Sequence, residues 1–206
     1  MDKFLVIQTN YLGIEIGLFE GETLIGLATV DKFNASQRII SLIHEILTNN
    51  SLFLDDLSFI AANQGPGPFT SLRVVISTVN GLSFATEKPL IGIDGLKAFA
   101  EEYPNTTILL NAYNKDVYYH LSGALGYKKI HELLEEKIET PHFIGNATAI
   151  YKDLILEKIP NAVIPDPIPL TCSINKIGSI AWIKWQDKKE LSKQLLPLYL
   201  KTASPK

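Results

Sequence analysis

The residues of this chain with the clearest capacity for chemistry form a glycine- and proline-rich turn at positions 65–73. An apolar run at 57–62 precedes the turn and an apolar-periodic segment at 69–85 follows it, which predicts a strand, a turn and a helix in that order. Backbone N–H groups at the start of such a helix can bind an anion. The candidate anion- or nucleotide-proximal residues are therefore Gly65, Gly67, Thr70 and Arg73.

A stiff corner that sets the angle of the following helix is the favoured interpretation of this turn. A Walker-type phosphate loop needs G-x-x-x-x-G-K-[ST], whereas the two glycines here are separated by a single residue and no lysine lies in the turn. Pro66 and Pro68 also lack the N–H groups that a phosphate-binding turn would use. Arg73, on the first helical turn, could still hold a phosphate or a carboxylate.

The four histidines do not have the spacing of a metal site. His44-Glu45 begins like H-E-x-x-H, but position 48 is threonine and the other histidines are scattered through the second half. The single cysteine, Cys172, excludes an internal disulfide and a cysteine-based metal site, and it fits a reducing compartment. The chain also lacks a G-x-S-x-G nucleophile elbow. We therefore expect no metal site, no cofactor and no catalytic residue.

The composition predicts a packed globular protein. The 206 residues are 46% hydrophobic and 20% charged, so a core is expected and disorder is not. A net charge of -3 argues against a general nucleic-acid-binding protein, which would normally be basic. The sequence opens without a secretory signal and contains no apolar stretch of membrane-spanning length. We expect a cytoplasmic protein without membrane contact.

Lysines collect near the C-terminus and could contact the phosphates of RNA. Asp187 and Glu190 interrupt them, so a solvated amphipathic face is the favoured explanation. These lysines are Lys184, Lys188, Lys189, Lys193, Lys201 and Lys206.

The elements that position these residues follow from the hydrophobic periods. In the first half the order is βββαβαβα, with strands at 4–7, 13–18, 23–30, 57–62 and 89–93 and helices at 35–47, 69–85 and 95–102. The second half begins in a similar order, with strands at 107–110, 117–121, 127–130 and 142–145 and helices at 132–137, 147–158 and 174–186.

Two lobes of βββαβα type predict an α/β protein of the two-lobed actin-like, ribonuclease-H-like (ASKHA) fold class with mixed sheets. The stretch around Pro104 is a plausible boundary, since proline and asparagine favour a loop. The predicted domains are an N-terminal lobe at 1–104 and a smaller C-terminal lobe at 105–206 that ends in an extended tail.

Amides stand where an actin-like ATPase would place acids. Such proteins have a carboxylate at the end of the first strand, because Mg²⁺ requires oxygen ligands that are preferably charged. Gln8 occupies that position here and Asn111 occupies the matching position of the second lobe. An amide brings no charge to hold Mg²⁺, which weakens a kinase or ATPase hypothesis.

The two helices at 35–47 and 69–85 have faces beyond what a core requires. In the second, small residues at 77, 81 and 85 form a shallow groove that another helix can approach, and Gly81 costs about 1 kcal/mol relative to alanine. In the first, Ile40 widens the apolar stripe. Packing within the chain and contact with a partner both remain open. The predicted partner-interface residues are Ile39, Ile40, Ile43, Leu47, Val74, Ser77, Thr78, Gly81 and Ala85.

Residues 64–73, QGPGPFTSLR, resemble the signature G-P-G-S-F-T-G-[LV]-R of the bacterial TsaB (YeaZ) family, which the catalytic relative TsaD shares in part. The resemblance extends over most of the chain. The helix at 35–47, the stretch DVY at 116–118 and the tail PLYL at 197–200 resemble further family segments. The chain departs from the family at five positions. Pro68 and Ser71 stand where many members have serine and glycine. Gln8 and Asn111 stand where many have aspartate, and Ala35 stands where many have histidine.

The resemblance implies a non-catalytic subunit of the machinery that makes threonylcarbamoyladenosine in tRNA, next to the anticodon. In that family TsaB pairs with TsaD through the two N-terminal-lobe helices, TsaD transfers the threonylcarbamoyl group, and the ATPase TsaE joins the pair. A homodimer is implied when TsaD is absent, and tRNA is implied to be reached only through the complex. The alternatives are a stand-alone ATP-dependent phosphotransferase of the actin-like fold, which tight Mg-ATP binding would favour, and a TsaD-like metallopeptidase.

Overall fold

The computed structural model describes residues 1–200 and divides the chain into two units. Unit 1 contains residues 1–95 and 173–198, and unit 2 contains residues 96–172 and, at the end of the described chain, residues 199–200. The sequence predicted a boundary at residue 104 and placed all later residues in the second lobe. In the structure the boundary follows residue 95, and residues 173–198 belong to unit 1. The reason is that the helix Ile174–Gln186 packs on the sheet of unit 1, where it buries Ile177 and Ala181.

Unit 1 has one six-stranded sheet. Its elements in chain order are β1 Lys3–Thr9, β2 Gly13–Glu20, β3 Thr23–Asp31, α1 Ala35–Asn49, a 3-10 turn Leu54–Asp56, β4 Leu57–Asn63, α2 Phe69–Thr86, β5 Leu90–Ile93, α7 Ile174–Gln186 and β10 Leu191–Ser192. The strand order is β10-β5-β4-β1-β2-β3, in which β1 is antiparallel to β2 and parallel to β4.

Both faces of this sheet are covered, and for this reason β1 is a continuous apolar run rather than an alternating one. Leu5 and Ile7 pack in a core shared with α1 and α2. On the other face, Phe4 stacks on Phe59 at 4.3 Å and on Trp182 of α7 at 6.1 Å between ring centroids. The sheet therefore carries α1 and α2 on one side and α7 on the other.

Unit 2 repeats the topology of the first four strands. Its elements are α3 Gly95–Glu102, which begins at the boundary, β6 Thr107–Asn111, β7 Asp116–Leu121, β8 Ala124–Lys129, α4 Ile130–Leu133, β9 Phe143–Ile144, α5 Asn146–Ile150 and α6 Lys152–Lys158. The order β8-β7-β6-β9, with β6 antiparallel to β7 and parallel to β9, matches β3-β2-β1-β4. The predicted α/β fold class with mixed sheets and a repeated element order is confirmed.

Two predicted helices of the second half differ from the observed ones. The helix at 147–158 is divided into α5 and α6 at Tyr151, whose backbone ψ of 21° lies outside the helical range. The helix at 132–137 is observed as the shorter α4. Hydrophobic periodicity places the apolar face of a segment but does not reveal such a break. Among residues 1–200, no helix combines the length and the apolar character needed to cross a membrane.

Candidate functional site: the glycine turn and the outer faces of α1 and α2

The glycine turn, residues 65–68, uses its backbone groups within the chain. The Gly65 N–H donates to Asn63 Oδ1 at 2.8 Å, and the Gly65 carbonyl accepts from the Gly95 N–H at 2.8 Å. Gly65 has a φ of 106°, a conformation that favours glycine, and the two prolines have no N–H to offer. These contacts describe a corner that joins β4 to α2 and fixes where α2 begins.

The other two residues predicted to lie near an anion, Thr70 and Arg73, are exposed on the first turns of α2. The Arg73 guanidinium lies over the Phe69 ring, 3.7 Å from its centroid, which is a cation–π contact. The guanidinium is thus placed beside the helix start and engaged with an aromatic ring. Its predicted role at an anion remains a prediction.

A chain of amide contacts connects β2, β1 and β4 to the turn. Gln8, fully buried, donates from Nε2 to a Glu15 carboxylate oxygen at 2.7 Å and accepts at Oε1 from Asn63 Nδ2 at 3.3 Å. Asn63 then receives the Gly65 N–H. Gln8 can donate to a carboxylate and accept from an amide at once, which an ionised aspartate or glutamate at this position could not do.

Asn111 has a comparable structural role in unit 2. Its backbone N–H donates to Asn146 Oδ1 at 2.9 Å, and its own Oδ1 accepts from the Tyr113 N–H at 2.9 Å. Tyr113, Asn114 and Lys115 all have positive φ values, so this turn is locally strained. The hydrogen bond to the Asn111 side chain therefore stabilises a turn whose backbone conformation is unfavourable for Tyr113, Asn114 and Lys115.

The small-residue row of α2 faces outward. Ser77, Gly81 and Ala85 are exposed, and a Cβ added at Gly81 would meet nothing within 4 Å. In the part of the chain that the structure describes, no other helix packs against Gly81. Val74 and Thr78 are half-buried beside it.

Three of the four α1 residues that were predicted to lie at a partner interface are buried within the chain, and their contact with a partner remains a prediction. Ile39, Ile43 and Leu47 are at most 3% exposed and belong to the core of unit 1. Ile40 lies outside that stripe and is 56% exposed. Periodicity cannot separate these cases, because a core stripe and an interface stripe have the same spacing.

An apolar groove runs between α1 and α2. It has a volume of about 350 Å³. It is lined by residues of α1, of the following segment and of α2, which are Ile40, Ile43, His44, Leu47, Leu52, Phe53, Leu54 and Leu82. Phe53 and, on α2, Phe84 are 78% and 91% exposed. Sequence analysis did not identify either phenylalanine. The signal available for Phe84 was an aromatic residue off the core stripe of its helix.

The C-terminal lysines are largely paired. Lys184 contacts Glu190 and the Gly92 carbonyl, and Lys189 pairs with Asp187 at 2.8 Å. Lys188 lies over the Trp185 ring at 3.7 Å. These contacts fit a solvated face that is partly neutralised, while Lys201 and Lys206 lie outside the described residues.

The histidines lie apart in the structure as well. Within residues 1–200, no group of three His, Cys, Asp or Glu side chains is placed to hold a metal ion. His44 lines the α1–α2 groove, and His120 of β7 lines a separate cavity of about 420 Å³ in unit 2. That cavity is also lined by Lys97, Glu101 and Leu125.

We expect His120 to make the stability of unit 2 depend on pH. Its Nδ1 is buried without a hydrogen-bond partner among the described residues, and burial lowers the pKa of the imidazole below its ordinary value of about 6.5. The His120 imidazole therefore binds a proton more readily in the unfolded chain than in the folded chain. As a result, the free energy of unfolding falls as the pH drops below about 6.5. Urea midpoints measured from pH 7.5 to pH 5 should show this loss.

The matched variants are His120→Leu, which removes the titrating group, and His142→Leu at an exposed site. The first should flatten the acidic part of the profile and the second should leave it unchanged. A profile that is identical in wild type and His120→Leu would assign the pH dependence to other groups.

Comparisons with known proteins give a consistent result. The family model for TsaD, described as tRNA N6-adenosine threonylcarbamoyltransferase, matches residues 32–182. Among curated relatives, the tRNA threonylcarbamoyladenosine biosynthesis protein TsaB of Escherichia coli is 29% identical over 48% of this chain and 43% of its own length. TsaB of Buchnera aphidicola from Schizaphis graminum is 28% identical over 49% and 48%. The matched part thus spans about half the length of these relatives.

A longer match and the solved structures cover nearly the whole chain. TsaB of Buchnera aphidicola from Baizongia pistaciae is 24% identical over 97% of this chain and 98% of its own. The structure of YeaZ from Pseudomonas aeruginosa covers 97% of this chain and all of its own, with a TM-score of 0.71 and 21% identity. A second Pseudomonas aeruginosa structure, described as similar to peptidase YEAZ, has a TM-score of 0.76 at 20% identity over 98% of this chain and all of its own. At these identities the two structures establish the fold alone.

Proposed function

The chain belongs to the TsaD family and, within it, to the TsaB (YeaZ) branch, and on that premise we propose that it is a non-catalytic subunit of the tRNA threonylcarbamoyladenosine modification system. In this proposal it docks a TsaD-type threonylcarbamoyltransferase through the outer faces of α1 and α2. The names of its relatives support the assignment to this system, and the geometry of unit 1 supports the proposed docking surface.

One observation carries the docking proposal, the environment of Gly81. A glycine in the interior of an exposed helix costs about 1 kcal/mol relative to alanine. No group of residues 1–200 requires a glycine here, because a Cβ added at Gly81 would meet none of their atoms within 4 Å. A close approach by a helix of another protein would require that space.

The groove beside this row supports the same surface. Ile40, Phe53 and Leu82 give it an apolar lining, and amphipathic helices bind in grooves of this kind. Aromatic side chains are enriched at the cores of protein–protein interfaces, and Phe53 and Phe84 are both exposed here. We therefore assign the partner-facing residues to Ile40, Val74, Ser77, Thr78, Gly81 and Ala85 of the predicted set.

The amides support the non-catalytic part of the proposal. Gln8 and Asn111 are both engaged in contacts that hold turns in place. Neither supplies the charge that a magnesium-dependent phosphotransferase would need. A TsaE-like ATPase as a further partner, tRNA reached only through the complex, a homodimer of the isolated chain and a cytoplasmic location complete the proposal.

Replacing Gly81 with leucine should abolish co-purification with a co-expressed TsaD-type protein. The new side chain would fill the space that the partner helix requires. Leucine is a better helix former than glycine by roughly 0.8 kcal/mol, and its Cβ would meet no described atom within 4 Å at this exposed position, so the variant should fold at least as well as the wild type. Tagged co-purification and thermal unfolding measure the two effects separately.

The matched control is Glu157→Leu, which places the same side chain on the exposed face of α6. It should leave the complex intact. A well-folded Gly81→Leu variant that still co-purifies at the wild-type level would refute docking through α2.

A further inference from the structure

The α1–α2 groove has a single polar side chain in its lining, in the part of the chain that the structure describes. Seven of the eight lining residues are isoleucine, leucine or phenylalanine, and the eighth is His44 of α1. His44 is exposed, so its imidazole lies in water beside an apolar surface. Among residues 1–200 no group of three His, Cys, Asp or Glu side chains is placed to hold a metal ion with it. The groove, and not a metal site, is therefore the environment that determines what His44 does.

The helices that form the groove carry few charges near His44. On α1, Glu45 follows His44 and pairs with Arg38 at 3.4 Å on the exposed surface. On α2, the one charged residue is Arg73, about two and a half turns before Leu82 at the groove. None of these three charged residues lines the groove.

The segments that follow α1 and α2 carry further charges at the rim of the groove. Asp55 and Asp56 are exposed in the 3-10 turn, and a carboxylate oxygen of Asp56 accepts from the Phe53 N–H at 2.7 Å. Glu87, after α2, is exposed, and the Lys88 ammonium donates to the Asp55 carbonyl at 2.7 Å. None of these four charged side chains lines the groove.

Strands β2 and β3, which also pack against α1, place no charge in the groove. Glu15 of β2 accepts from a side-chain amide of β1 at 2.7 Å, and Glu20 pairs with Lys3 at 3.0 Å. Asp31, at the end of β3, accepts from the backbone before α1 at 2.9 Å. His44 is thus the one titratable group in the described lining of the groove.

Docking through the outer faces of α1 and α2 would cover His44 together with the groove. The groove continues the proposed docking surface, because its α2 residue, Leu82, directly follows Gly81. A neutral imidazole keeps one donor and one acceptor, whereas an imidazolium has two donors and a charge. Moving that charge from water into apolar surroundings costs free energy unless an opposite charge pairs with it. The groove therefore accepts a partner more readily while His44 is neutral.

A carboxylate of the partner could supply such a pair, but the charges around the groove disfavour one. Acids outnumber cations there by four to two, so a further carboxylate would meet like charges. These groups are Glu45, Asp55, Asp56 and Glu87 against Arg38 and Lys88. The apolar lining independently favours an apolar side of the partner helix.

We propose that His44 determines which partner surface the groove accepts, namely the side of a helix that is apolar and has no carboxylate opposite the imidazole. The inference rests on the proposed function, because this helix belongs to the TsaD-type partner. Such a complex holds His44 neutral, whereas the free chain can bind a proton there. Protonation therefore stabilises the free chain relative to the complex, and docking weakens as the pH falls through the range in which histidine gains its charge.

The test measures the dissociation constant of the full chain and a purified TsaD-type protein by interferometry from pH 7.5 to pH 5.5. We expect the wild-type complex to weaken about tenfold over this range, because only the neutral fraction of the imidazole is competent to dock. His44→Leu removes the titrating group, so it should bind at pH 7.5 at least as tightly as the wild type and lose less affinity at pH 5.5. His44→Lys carries its charge at every pH of the series and should already bind about tenfold more weakly at pH 7.5.

The matched control is His142→Leu, the same change at an exposed position of unit 2. It should keep the wild-type pH profile of docking. His120 is present in every variant, so its effect on the stability of unit 2 is common to all of them. Thermal unfolding at each pH verifies that the compared proteins are folded.

A complex whose affinity is the same at pH 7.5 and pH 5.5, or which weakens equally in wild type and His44→Leu, overturns the inference and leaves docking itself intact. A complex that tightens at acidic pH assigns a partner carboxylate to His44 and also overturns it. An absence of binding at pH 7.5 contradicts the proposed function, and the inference fails with it.

Discussion

Replacing Phe4 with alanine should reduce the free energy of unfolding of unit 1 by about 3–5 kcal/mol. Phe4 is fully buried and stacks with Phe19, Phe59 and Trp182, at 5.1, 4.3 and 6.1 Å between ring centroids. Alanine would remove these contacts and leave a cavity between the sheet and α7 that rigid neighbours cannot close. This loss is a large part of the 5–15 kcal/mol that stabilises a typical domain.

Urea denaturation followed by tryptophan fluorescence is a direct measurement of this effect. The chain has two tryptophans, and both lie in this cluster, Trp182 on Phe4 and Trp185 on Phe59 at 4.8 Å. The matched control is Phe84→Ala, which removes an equally large side chain that is 91% exposed. Its effect on stability should lie within about 0.5 kcal/mol. Similar losses in the two variants would contradict the assignment of Phe4 to the core.

Replacing Gly145 with alanine should destabilise unit 2 by about 3 kcal/mol or more. Gly145 connects β9 to α5 with a φ of 101°, and an added Cβ would lie 2.2 Å from the Leu109 carbonyl oxygen of β6. The obstacle is backbone in the centre of the sheet, which cannot move aside as a flexible side chain could. Amide hydrogen exchange of β6 residues should be accelerated accordingly.

Gly123→Ala separates the cost of the positive φ from the cost of the close contact with the Leu109 carbonyl. Gly123 also has a positive φ, 84°, but no atom of residues 1–200 lies within 4 Å of a Cβ added there. It should cost about 1 kcal/mol, the lower end of the range for an unfavourable backbone conformation. If Gly145→Ala costs no more than Gly123→Ala, the contact with Leu109 does not determine the effect.

The elements of the fold followed largely from local sequence patterns. The predicted helices at 95–102 and 174–186 agree with α3 and α7 in full, and those at 35–47 and 69–85 differ from α1 and α2 by one or two residues at their ends. Local patterns were sufficient here because an amphipathic helix buries one face wherever it packs. The same patterns placed Ile40 beside the apolar stripe that contains Ile39, but they did not decide which of the two residues is exposed.

The sequence by itself determined which groups the glycine turn lacks, since Pro66 and Pro68 have no N–H in any fold. It also determined that Gln8 and Asn111 bring no charge. Only the tertiary structure decided what these residues do instead. The Gln8–Asn63 contact joins residues 55 positions apart, and the Asn80–Leu195 contacts join residues 115 positions apart. Helix α7 belongs to unit 1 although it follows residues 96–172 of unit 2 in the sequence. Such pairings depend on which buried polar group lies opposite which other group once the chain has folded, and local sequence periodicity carries no information about that.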